Sequence, residues 1–279
     1  MTNPREILAL YGLEPKKSLG QNFLHDPNAL ERIAGVAAVS ADDAVLEVGP
    51  GTGGLTEALA RRARRVVGVE LDQRMRPILN GRLAPYDNVE IVYADILNTD
   101  PAVLMGPDAG NYVVAANVPY YITSAILRHL LETPARPRAL TILMQLEVAE
   151  KLISKPGDMS LLSVSIQLYA KAKIAFRLSP GVFYPRPDVT SAVVRLDVFP
   201  QPVVDVPEKE FFRVARAGFG QKRKQIKNSL ASGLNLSGEL TSEMLARADI
   251  DPMRRAETLT LEEWGRLTQS WLETGASGK

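Results

Sequence analysis

The chain has 279 residues, of which 46% are hydrophobic and 23% charged, values typical of a globular protein with one large or two smaller domains. The absence of cysteine excludes disulfides, thiolate catalysis and cysteine-bound zinc, and two histidines, His25 and His129, are too few to predict a metal site. The net charge of +1 indicates no class of partner, and no apolar run approaches the roughly 18 residues of a membrane span, so no membrane partner is expected. The absence of cysteine fits a cytoplasmic protein.

Short apolar strands alternate with helical patterns along the first half of the chain. Near the start, Asn3 and Asp26 each precede a proline, which is typical of a helix N-cap. The predicted strands that follow cover residues 44–48, 66–70, 89–93, 112–116 and 139–145. This alternation is typical of βαβ units, so we expect an α/β, Rossmann-like parallel sheet with helices on both faces. Two further strands are expected at 171–178 and 190–199.

The composition changes near residue 200, where a short proline-rich, linker-like stretch begins. Beyond it, apolar residues recur with helical spacing, at Phe212, Ala215 and Phe219 and again at Ile226, Leu230 and Leu234. We therefore predict an α/β catalytic domain over residues 1–199 and a small all-α domain over residues 200–279. The last five residues, 275–279, are expected to be frayed.

A glycine-rich loop follows the first strand of the predicted sheet. Gly49, Gly51 and Gly54 match the G-x-G-x-x-G pattern of nucleotide loops, and Glu70, at the end of the next strand, can accept both hydroxyls of a ribose. Dinucleotide oxidoreductases and S-adenosylmethionine (SAM) methyltransferases share this arrangement. A proline inside the loop favours SAM as the cofactor, as does Asp95, which ends the third strand where a methyltransferase reads the adenine amine. Aspartate is also a preferred N-cap, so a purely structural role for Asp95 stays open.

The fourth predicted strand ends in Asn-Val-Pro-Tyr, at the carboxyl edge where open α/β sheets bind ligands. An adenine N6 amine is a poor nucleophile because its lone pair is delocalised into the ring. Asn117 Oδ1 and the Val118 carbonyl can accept its two N–H groups and so localise the lone pair on nitrogen. Pro119 would hold the turn rigid, and Tyr120 offers a ring on which the base can stack. The same four residues could instead be an ordinary strand-to-helix turn.

Several segments resemble one known family, the rRNA adenine dimethyltransferases. Residues 117–120 are similar to the (Asn/Asp)-x-Pro-(Tyr/Phe) motif of methyltransferases that act on N6 of adenine. Further similar segments, in consistent order, are Lys-Ser-Leu-Gly-Gln-Asn-Phe-Leu at 17–24, the proline-rich loop at 181–189, the strand at 191–196 and Gly-Phe-Gly-Gln-Lys-Arg-Lys at 218–224. The resemblance is greatest to the bacterial small-subunit branch, which dimethylates two adjacent adenosines near the 3′ end of 16S rRNA during ribosome assembly.

The resemblance implies roles for individual residues. Asn22 and Leu24 match cofactor-contact positions, and Asn117 matches a position shared by the cofactor and the target base. Phe183 matches an aromatic residue on the other side of that base, although burial tendency alone would place it in the core. Cofactor contacts are likewise implied for the first loop glycine and the two acids, Gly49, Glu70 and Asp95. Tyr121 departs from the family, in which many members carry Asn, and this difference concerns substrate detail more than chemistry.

A cluster of basic residues lies between residues 211 and 230, where no acidic residue occurs. Its members are Arg213, Arg216, Lys222, Arg223, Lys224 and Lys227. Arg223 and Lys227 are expected four apart on one helix, opposite an apolar face. Such clustering predicts binding to RNA phosphates, although a merely solvated helix face would carry the same charges.

The residues predict methylation of an amine, and the resemblance implies a SAM-dependent rRNA (adenine-N6,N6)-dimethyltransferase that acts on 16S rRNA in a precursor of the small ribosomal subunit. We expect it to be a monomer. Its target adenine must leave the RNA stack to reach the pocket. Three alternatives remain open: a resistance-type methyltransferase of large-subunit rRNA, a non-catalytic nucleic-acid-binding factor on the same fold, and a dinucleotide oxidoreductase. The segment at 218–224 argues against the first, and the intact Asn117, Glu70 and Asp95 argue against the second.

Overall fold

The computed structural model describes residues 3–274, so the expected frayed tail at 275–279 lies outside the described residues. The described chain divides into two units. Unit 1 comprises residues 3–150 and 171–198, and unit 2 comprises residues 151–170 and 199–274. The predicted domain boundary near residue 200 stays a prediction. The structure groups with the C-terminal helices one segment, 151–170, that falls inside the predicted first domain.

The described residues contain nine strands. They are β1 Phe23–Leu24, β2 Ala44–Val48, β3 Arg65–Glu70, β4 Val89–Tyr93, β5 Tyr112–Asn117, β6 Ala139–Gln145, β7 Ala170–Leu178, β8 Phe183–Tyr184 and β9 Ser191–Val198. Seven form the main sheet, in the order β4-β3-β2-β5-β6-β9-β7. Strands β2 to β6 run parallel, as predicted, while β9 pairs antiparallel with β6, which the sequence pattern did not specify.

Twelve α-helices lie within residues 3–274. They are α1 Pro4–Leu10, α2 Pro27–Ala37, α3 Gly54–Ala60, α4 Arg76–Leu83, α5 Pro101–Met105, α6 Thr123–Leu131, α7 Leu146–Leu152, α8 Leu161–Gln167, α9 Glu208–Phe219, α10 Ile226–Leu234, α11 Gly238–Arg247 and α12 Leu261–Glu273. Asn3 and Asp26 cap α1 and α2 through their side chains, as predicted. Among these helices none combines the length and apolar character needed to cross a membrane.

Strands β2 and β5 lie side by side where the strand order of the sheet reverses. All of β2 and nearly all of β5 are buried, as expected for parallel strands covered on both faces. Their register pairs Val48 with Ala116, so the loop that begins at Gly49 and the side chain of Asn117 emerge at the same edge. Such a reversal point is where open α/β sheets form ligand clefts.

A hydrophobic cluster attaches α2 and α3 to the sheet. Leu30 and Ile33 of α2 pack with Leu59 of α3 and Val45 of β2, and all four are buried. Full burial of each such side chain contributes about 1.5–3 kcal/mol. The cluster therefore fixes α3, which starts directly after the glycine loop.

A second, two-stranded sheet joins the N-terminal segment (residues 17–24) to a distant loop. Strand β1 pairs antiparallel with β8, so that Phe23 faces Tyr184 and Leu24 faces Phe183. The sequence did not predict either strand, because each has two residues and depends on a partner far along the chain. The pairing gives the N-terminal segment a fixed position in unit 1.

Unit 2 is mainly helical and includes α8 to α12. Helices α9 and α10 cross closely at Gly233, where a β-carbon would lie 2.6 Å from the β-carbon of Ala217. The predicted apolar face of α10 is confirmed, because Ile226, Leu230 and Leu234 are all buried. A small residue at the crossing and a buried apolar face on α10 hold these two helices together.

Candidate active site

A pocket opens at the carboxyl edge of the main sheet, where β2, β3, β4 and β5 end. It contains about 1030 Å³ of empty space, a volume that includes some open solvent at its mouth. Its lining includes every predicted cofactor or target-base residue except Phe183: Asn22, Leu24, Gly49, Gly51, Glu70, Asp95, Asn117, Val118, Pro119 and Tyr120. The structure thus brings together residues from separate segments around one nucleotide-sized cleft.

The glycine loop between β2 and α3 adopts left-handed backbone conformations. Gly49 and Gly51 have φ angles of +75° and +58°, which other residues rarely adopt. A β-carbon at Gly51 would also lie 3.1 Å from the Phe23 ring, so this position requires glycine for space as well as for conformation. Arg82 of α4 supports the loop, because its Nη1 donates to the Thr52 carbonyl at 3.0 Å.

Glu70 ends β3 with a buried carboxyl that is fixed by backbone donors. Its Oε2 accepts from the Gly51 N–H and its Oε1 from the Asp72 N–H, both at 2.8 Å. Burial raises the pKa of Glu70, and these N–H groups oppose the rise. Each oxygen has a second lone pair and can still accept a ribose hydroxyl. The carboxyl is therefore oriented before any cofactor binds.

Asp95 follows β4, and both of its carboxyl oxygens have protein partners. Oδ1 accepts from the Leu97 N–H at 3.0 Å, and Oδ2 accepts from the Asn98 amide at 2.9 Å. Asp95 therefore caps the short 3₁₀ helix Ile96–Asn98, which is the structural role that the sequence left open for it. It also lines the pocket, and its remaining lone pairs can accept an adenine amine. Its role as the adenine reader stays a prediction.

The Asn-Val-Pro-Tyr segment leads from β5 towards α6. Asn117 Nδ2 donates to the Asn22 carbonyl at 3.5 Å, so this contact engages the amide nitrogen and not Oδ1. The Tyr120 hydroxyl lies 2.6 Å from Ser191 Oγ at the start of β9. Burial raises the pKa of the Tyr120 phenol, and the hydrogen bond with Ser191 opposes the rise. The ring of Tyr120 is thus held by its hydroxyl as well as by the backbone.

The N-terminal segment brings Asn22 and Leu24 to the pocket lining, where the resemblance implied them. The segment is also fixed by Gln21, whose Nε2 donates to Asp72 Oδ2 at 2.9 Å. Asp72 is buried, and its amide N–H is one of the two donors to the carboxyl at the end of β3. One residue therefore connects the N-terminal segment to the proposed ribose acceptor.

Phe183 lies in β8 and does not line the pocket. Its side chain is 4% exposed and packs in a core cluster with Leu24, Leu178 and Val193. This is the position that burial tendency alone favours for an aromatic residue. Its predicted contact with the target base stays a prediction.

The sequence did not predict two residues of the site, one that lines the pocket and one that holds a lining residue. Glu47 of β2 lines the pocket and is 1% exposed, and its Oε2 has no hydrogen-bond partner among the described residues. Desolvation by burial raises the pKa of Glu47 to about 8. A signal was available, since a glutamate between Leu46 and Val48 is unusual in a buried apolar strand. Ser191 offered no such signal, because its partner Tyr120 is distant in the chain.

The predicted RNA-binding residues lie in unit 2, along α9, in the turn after it and at the start of α10. Arg216, Lys222, Arg223 and Lys224 are exposed, and Arg213 and Lys227 are half-buried. The expectation that Arg223 and Lys227 share one helix is wrong. Helix α10 begins only at Ile226, because the Gln225 backbone is extended, with φ −63° and ψ 151°. Arg223 therefore lies in the preceding turn.

A crevice between α9 and α10 adds neutral polar groups to this basic surface. Its lining includes Arg213, Arg216, Gln221, Ser229 and Ser232. Arg213 is partly engaged within unit 2, since its guanidinium lies 5.0 Å from the centroid of a tryptophan ring in α12. Arginine together with hydroxyl and amide groups is a donor set that suits phosphate oxygens.

Comparison with known proteins covers nearly the whole chain. A sequence model of the ribosomal RNA adenine dimethylase family matches residues 12–271. The chain belongs to this family. It is 46% identical over 275 residues to ribosomal RNA small subunit methyltransferase A of Lysinibacillus sphaericus (strain C3-41), covering 95% of this chain and 94% of the relative. It is 42% identical over 269 residues to the protein of that name from Dehalococcoides mccartyi (strain CBDB1), covering 96% and 92%.

Solved structures agree with the fold of this family. The structure of 23S rRNA methyltransferase ErmE matches with a TM-score of 0.70 and 30% identity, covering 89% of this chain and 98% of that protein. A dimethyladenosine transferase from Plasmodium falciparum matches in fold, with a TM-score of 0.78 and 24% identity, covering 91% and 98%. The predictions of a Rossmann-like methyltransferase fold, of the family and of an rRNA adenine dimethyltransferase are confirmed.

The cofactor of this family is SAM, which confirms the predicted cofactor. The pocket fits it chemically. The glycine loop leaves space that a β-carbon would fill, and the fixed Glu70 carboxyl can accept ribose hydroxyls. SAM carries a sulfonium and an ammonium group, and a cation favours the ionised form of a buried carboxyl such as Glu47. A dinucleotide would instead bring a pyrophosphate to a pocket with several acids, which argues against the oxidoreductase alternative.

Proposed function

We propose that this rRNA adenine dimethyltransferase modifies N6 of two adjacent adenosines near the 3′ end of 16S rRNA during assembly of the small subunit. The observation that carries the proposal is the position of Asn-Val-Pro-Tyr at the end of β5, in the same pocket as the glycine loop, Glu70 and Asp95. This arrangement offers acceptors for a target amine beside a site for a nucleoside-bearing cofactor.

Two acceptors hold the target amine in this proposal. Asn117 Oδ1 accepts one N–H of the adenine N6 group, and the Val118 carbonyl accepts the other. Their combined pull localises the nitrogen lone pair. The contact of Asn117 Nδ2 with the Asn22 carbonyl supports this assignment, because it engages the amide nitrogen and not Oδ1. Catalysis then depends mainly on alignment and on exclusion of water.

The stacking surface for the target base is the Tyr120 ring. Its hydroxyl is anchored by Ser191 at 2.6 Å, so the ring has a defined position before RNA binds. Pro119 restricts the backbone of the turn that carries it. Phe183 is proposed for the opposite face of the base, although its side chain packs in the core of the described structure.

The remaining pocket residues hold the cofactor in this proposal. Glu70 accepts the ribose hydroxyls, Asp95 accepts the adenine amine, and the backbone of Gly49 and Gly51 approaches the cofactor closely. Asn22 and Leu24 cover it from the N-terminal segment. When bound, SAM supplies an activated methyl group on its sulfonium. The buried Glu47 carboxyl is suited to a positive charge, because its Oε2 has no partner among residues 3–274.

The RNA is bound in this proposal by the basic cluster of unit 2. Its members are Arg213, Arg216, Lys222, Arg223, Lys224 and Lys227. The four exposed members and the crevice between α9 and α10 offer charged and neutral donors to phosphates. Sequence-specific recognition of RNA mostly targets loops and single strands, which suits a target adenine that must leave the stack.

The choice of the small subunit is supported by the identity of 42–46% to proteins named small subunit methyltransferases, against 30% to the named 23S enzyme. We further propose that the protein acts as a monomer in the cytoplasm, on a precursor of the small subunit.

Labelling of separated ribosomal subunits tests the proposal. Purified protein and tritiated SAM are incubated with small or large subunits that lack these modifications. We expect label in the rRNA of the small subunit alone. Label in the large subunit alone would favour the resistance-type alternative. SAM binding without label in either subunit would favour the non-catalytic alternative.

A further inference from the structure

Two consecutive tyrosines at the end of the reactive segment have opposite environments. The Tyr120 hydroxyl is held by Ser191, whereas the Tyr121 side chain is 67% exposed and lines the mouth of the same pocket. The turn that carries both is well fixed, because the Ile122 N–H and the Thr123 hydroxyl both bind the Pro119 carbonyl, at 3.2 and 3.4 Å. The chain therefore presents one ring towards the protein and the next towards solvent.

The exposed ring of Tyr121 is supported by the N-terminal segment. A β-carbon at Gly20 would lie 3.1 Å from Tyr121 Cε1 and 3.2 Å from the β-carbon of Pro119. Glycine at this position therefore lets the ring lie against the backbone, and its φ of +58° is a second reason for glycine. The ring is placed by this contact while most of its surface stays open. Two exposed lysines, Lys16 and Lys17, precede this glycine.

A target adenine in the pocket must be separated from its neighbour in the RNA chain. Extrusion of one base costs a few kcal/mol of stacking, and it also uncovers a face of the adjoining base. An aromatic side chain can replace that lost stacking, at about 1–3 kcal/mol per base. Isolated exposed apolar residues are common, but Tyr121 directly follows the reactive segment and belongs to the lining of the same pocket.

We propose that Tyr121 is a stacking platform for the nucleobase that adjoins the target adenosine. The proposal rests on the proposed function and deepens it, since it assigns a second base site to the same pocket. With adjacent adenosines as targets, the platform holds one adenine while the other is in the pocket. Lys16 and Lys17 supply positive charge for the intervening phosphate. Tyr121 is thus a positioning residue for RNA and takes no part in the methyl transfer.

The first test compares wild type, Tyr121→Phe and Tyr121→Ala in methylation of unmodified small subunits at saturating SAM. Loss of base stacking corresponds to about five- to 150-fold, so Tyr121→Ala is expected to lower kcat/KM for the subunit by this factor. Tyr121→Phe keeps the ring and is expected to match wild type. Val103→Ala is the matched control, because Val103 is 76% exposed in α5 and does not line the pocket.

Titration with SAM in the absence of RNA separates stacking from a purely structural role. All three Tyr121 forms are expected to bind SAM with the same Kd. If Tyr121→Ala binds SAM markedly more weakly than wild type, the ring acts by supporting Gly20 and the cofactor site, and the proposal is wrong. An unchanged kcat/KM in Tyr121→Ala would also overturn it.

Subunits in which one of the two adenosines is replaced by uridine test the occupant of the platform. Uracil stacks more weakly than adenine, so the penalty of Tyr121→Ala is expected to shrink when the neighbour of the remaining target is uridine. A penalty in either single replacement as large as the penalty with the unreplaced subunit would contradict the assignment. If wild type itself fails to label the small subunit, the proposed function fails instead, so the two failures are distinguishable.

Discussion

Two buried carboxyls close together in the pocket behave differently because their donors differ. Both oxygens of Glu70 accept backbone N–H groups, which oppose the rise in pKa that burial causes. Glu47 has an oxygen without a partner among the described residues, and its pKa is raised to about 8. In the absence of cofactor, Glu47 is therefore mainly protonated at neutral pH. A cationic cofactor would favour its ionised form.

The raised pKa of Glu47 predicts a pH-dependent stability. The pKa in the folded state, about 8, lies above the reference value of 4.5. The contribution of this group to the free energy of unfolding is therefore complete below pH 4.5 and is lost as pH rises through 8. One such group changes the free energy of unfolding by up to about 1.4 kcal/mol per pH unit. Glu47→Gln removes the titration and is expected to flatten this decline, as measured by urea unfolding from pH 5 to pH 8 without SAM.

The control for this measurement is Glu14→Gln, since Glu14 is exposed and lies in the same unit. It is expected to keep the wild-type dependence on pH. The same slope in Glu47→Gln and wild type would show that Glu47 does not bind a proton on folding in this range.

Elements marked by a local apolar run could be predicted from the sequence, and elements that depend on distant partners could not. The bounds of β2, β4 and β6 match the predicted strands, because each is a short, largely apolar run rich in β-branched or aliphatic residues, a pattern typical of a strand. Strands β1 and β8 were missed because each forms only through the other. Helices α7 and α8 were also left unassigned.

The basic segment between α9 and α10 could also be predicted only in part. Its charges could be read from the sequence, but their arrangement could not. Periodicity predicted one helix that contained both Arg223 and Lys227, whereas the extended backbone of Gln225 separates a turn from α10. The turn places Lys222, Arg223 and Lys224 in solvent, while Lys227 is half-buried. Phosphate contacts are therefore expected mainly from the turn.

Salt dependence of subunit binding tests this surface. Each phosphate contact contributes about 0.7–0.9 to the slope of log K against log salt concentration. The double variant Arg223→Ala, Lys224→Ala is therefore expected to lower the slope for small-subunit binding by about one to two units. Affinity is measured over a series of KCl concentrations at fixed Mg²⁺.

A matched double variant, Lys171→Ala and Lys173→Ala, controls for the loss of two positive charges. Both lysines are exposed on β7, outside the basic cluster. This variant is expected to keep the wild-type slope. If the Arg223 and Lys224 variant also keeps that slope, the turn is only a solvated surface.

For the whole chain, the proposed methyl-transfer pocket and the basic cluster proposed to bind RNA belong to different units. The pocket is lined by residues of unit 1 alone, and the basic cluster belongs to unit 2. Unit 2 includes the segment 151–170, which leaves the first unit before β7 returns to it. Local patterns could not reveal this grouping, because it depends on packing of α8 with α9 and not on a change in composition.

Most of the pocket could be predicted, because its residues follow strand ends and the parallel sheet brings those ends to one edge. Asn117, Glu70 and Asp95 are of this kind. The residues that hold these side chains in place through hydrogen bonds could not be predicted. Gln21 and Ser191 act through hydrogen bonds to residues far away in the chain, and no spacing rule connects such pairs.

The most direct test is to map the modified nucleotides formed by wild type and by Asn117→Ala. Unmodified small subunits are incubated with SAM, and fragments of their 16S rRNA are analysed by mass spectrometry. Wild type is expected to form N6,N6-dimethyladenosine at two adjacent positions near the 3′ end. Asn117→Ala is expected to lose at least about 10²–10³-fold in rate, the scale for one preorganised hydrogen-bonding group, while still binding the subunit. Normal turnover in Asn117→Ala, or methylation at any other position by wild type, would contradict the account.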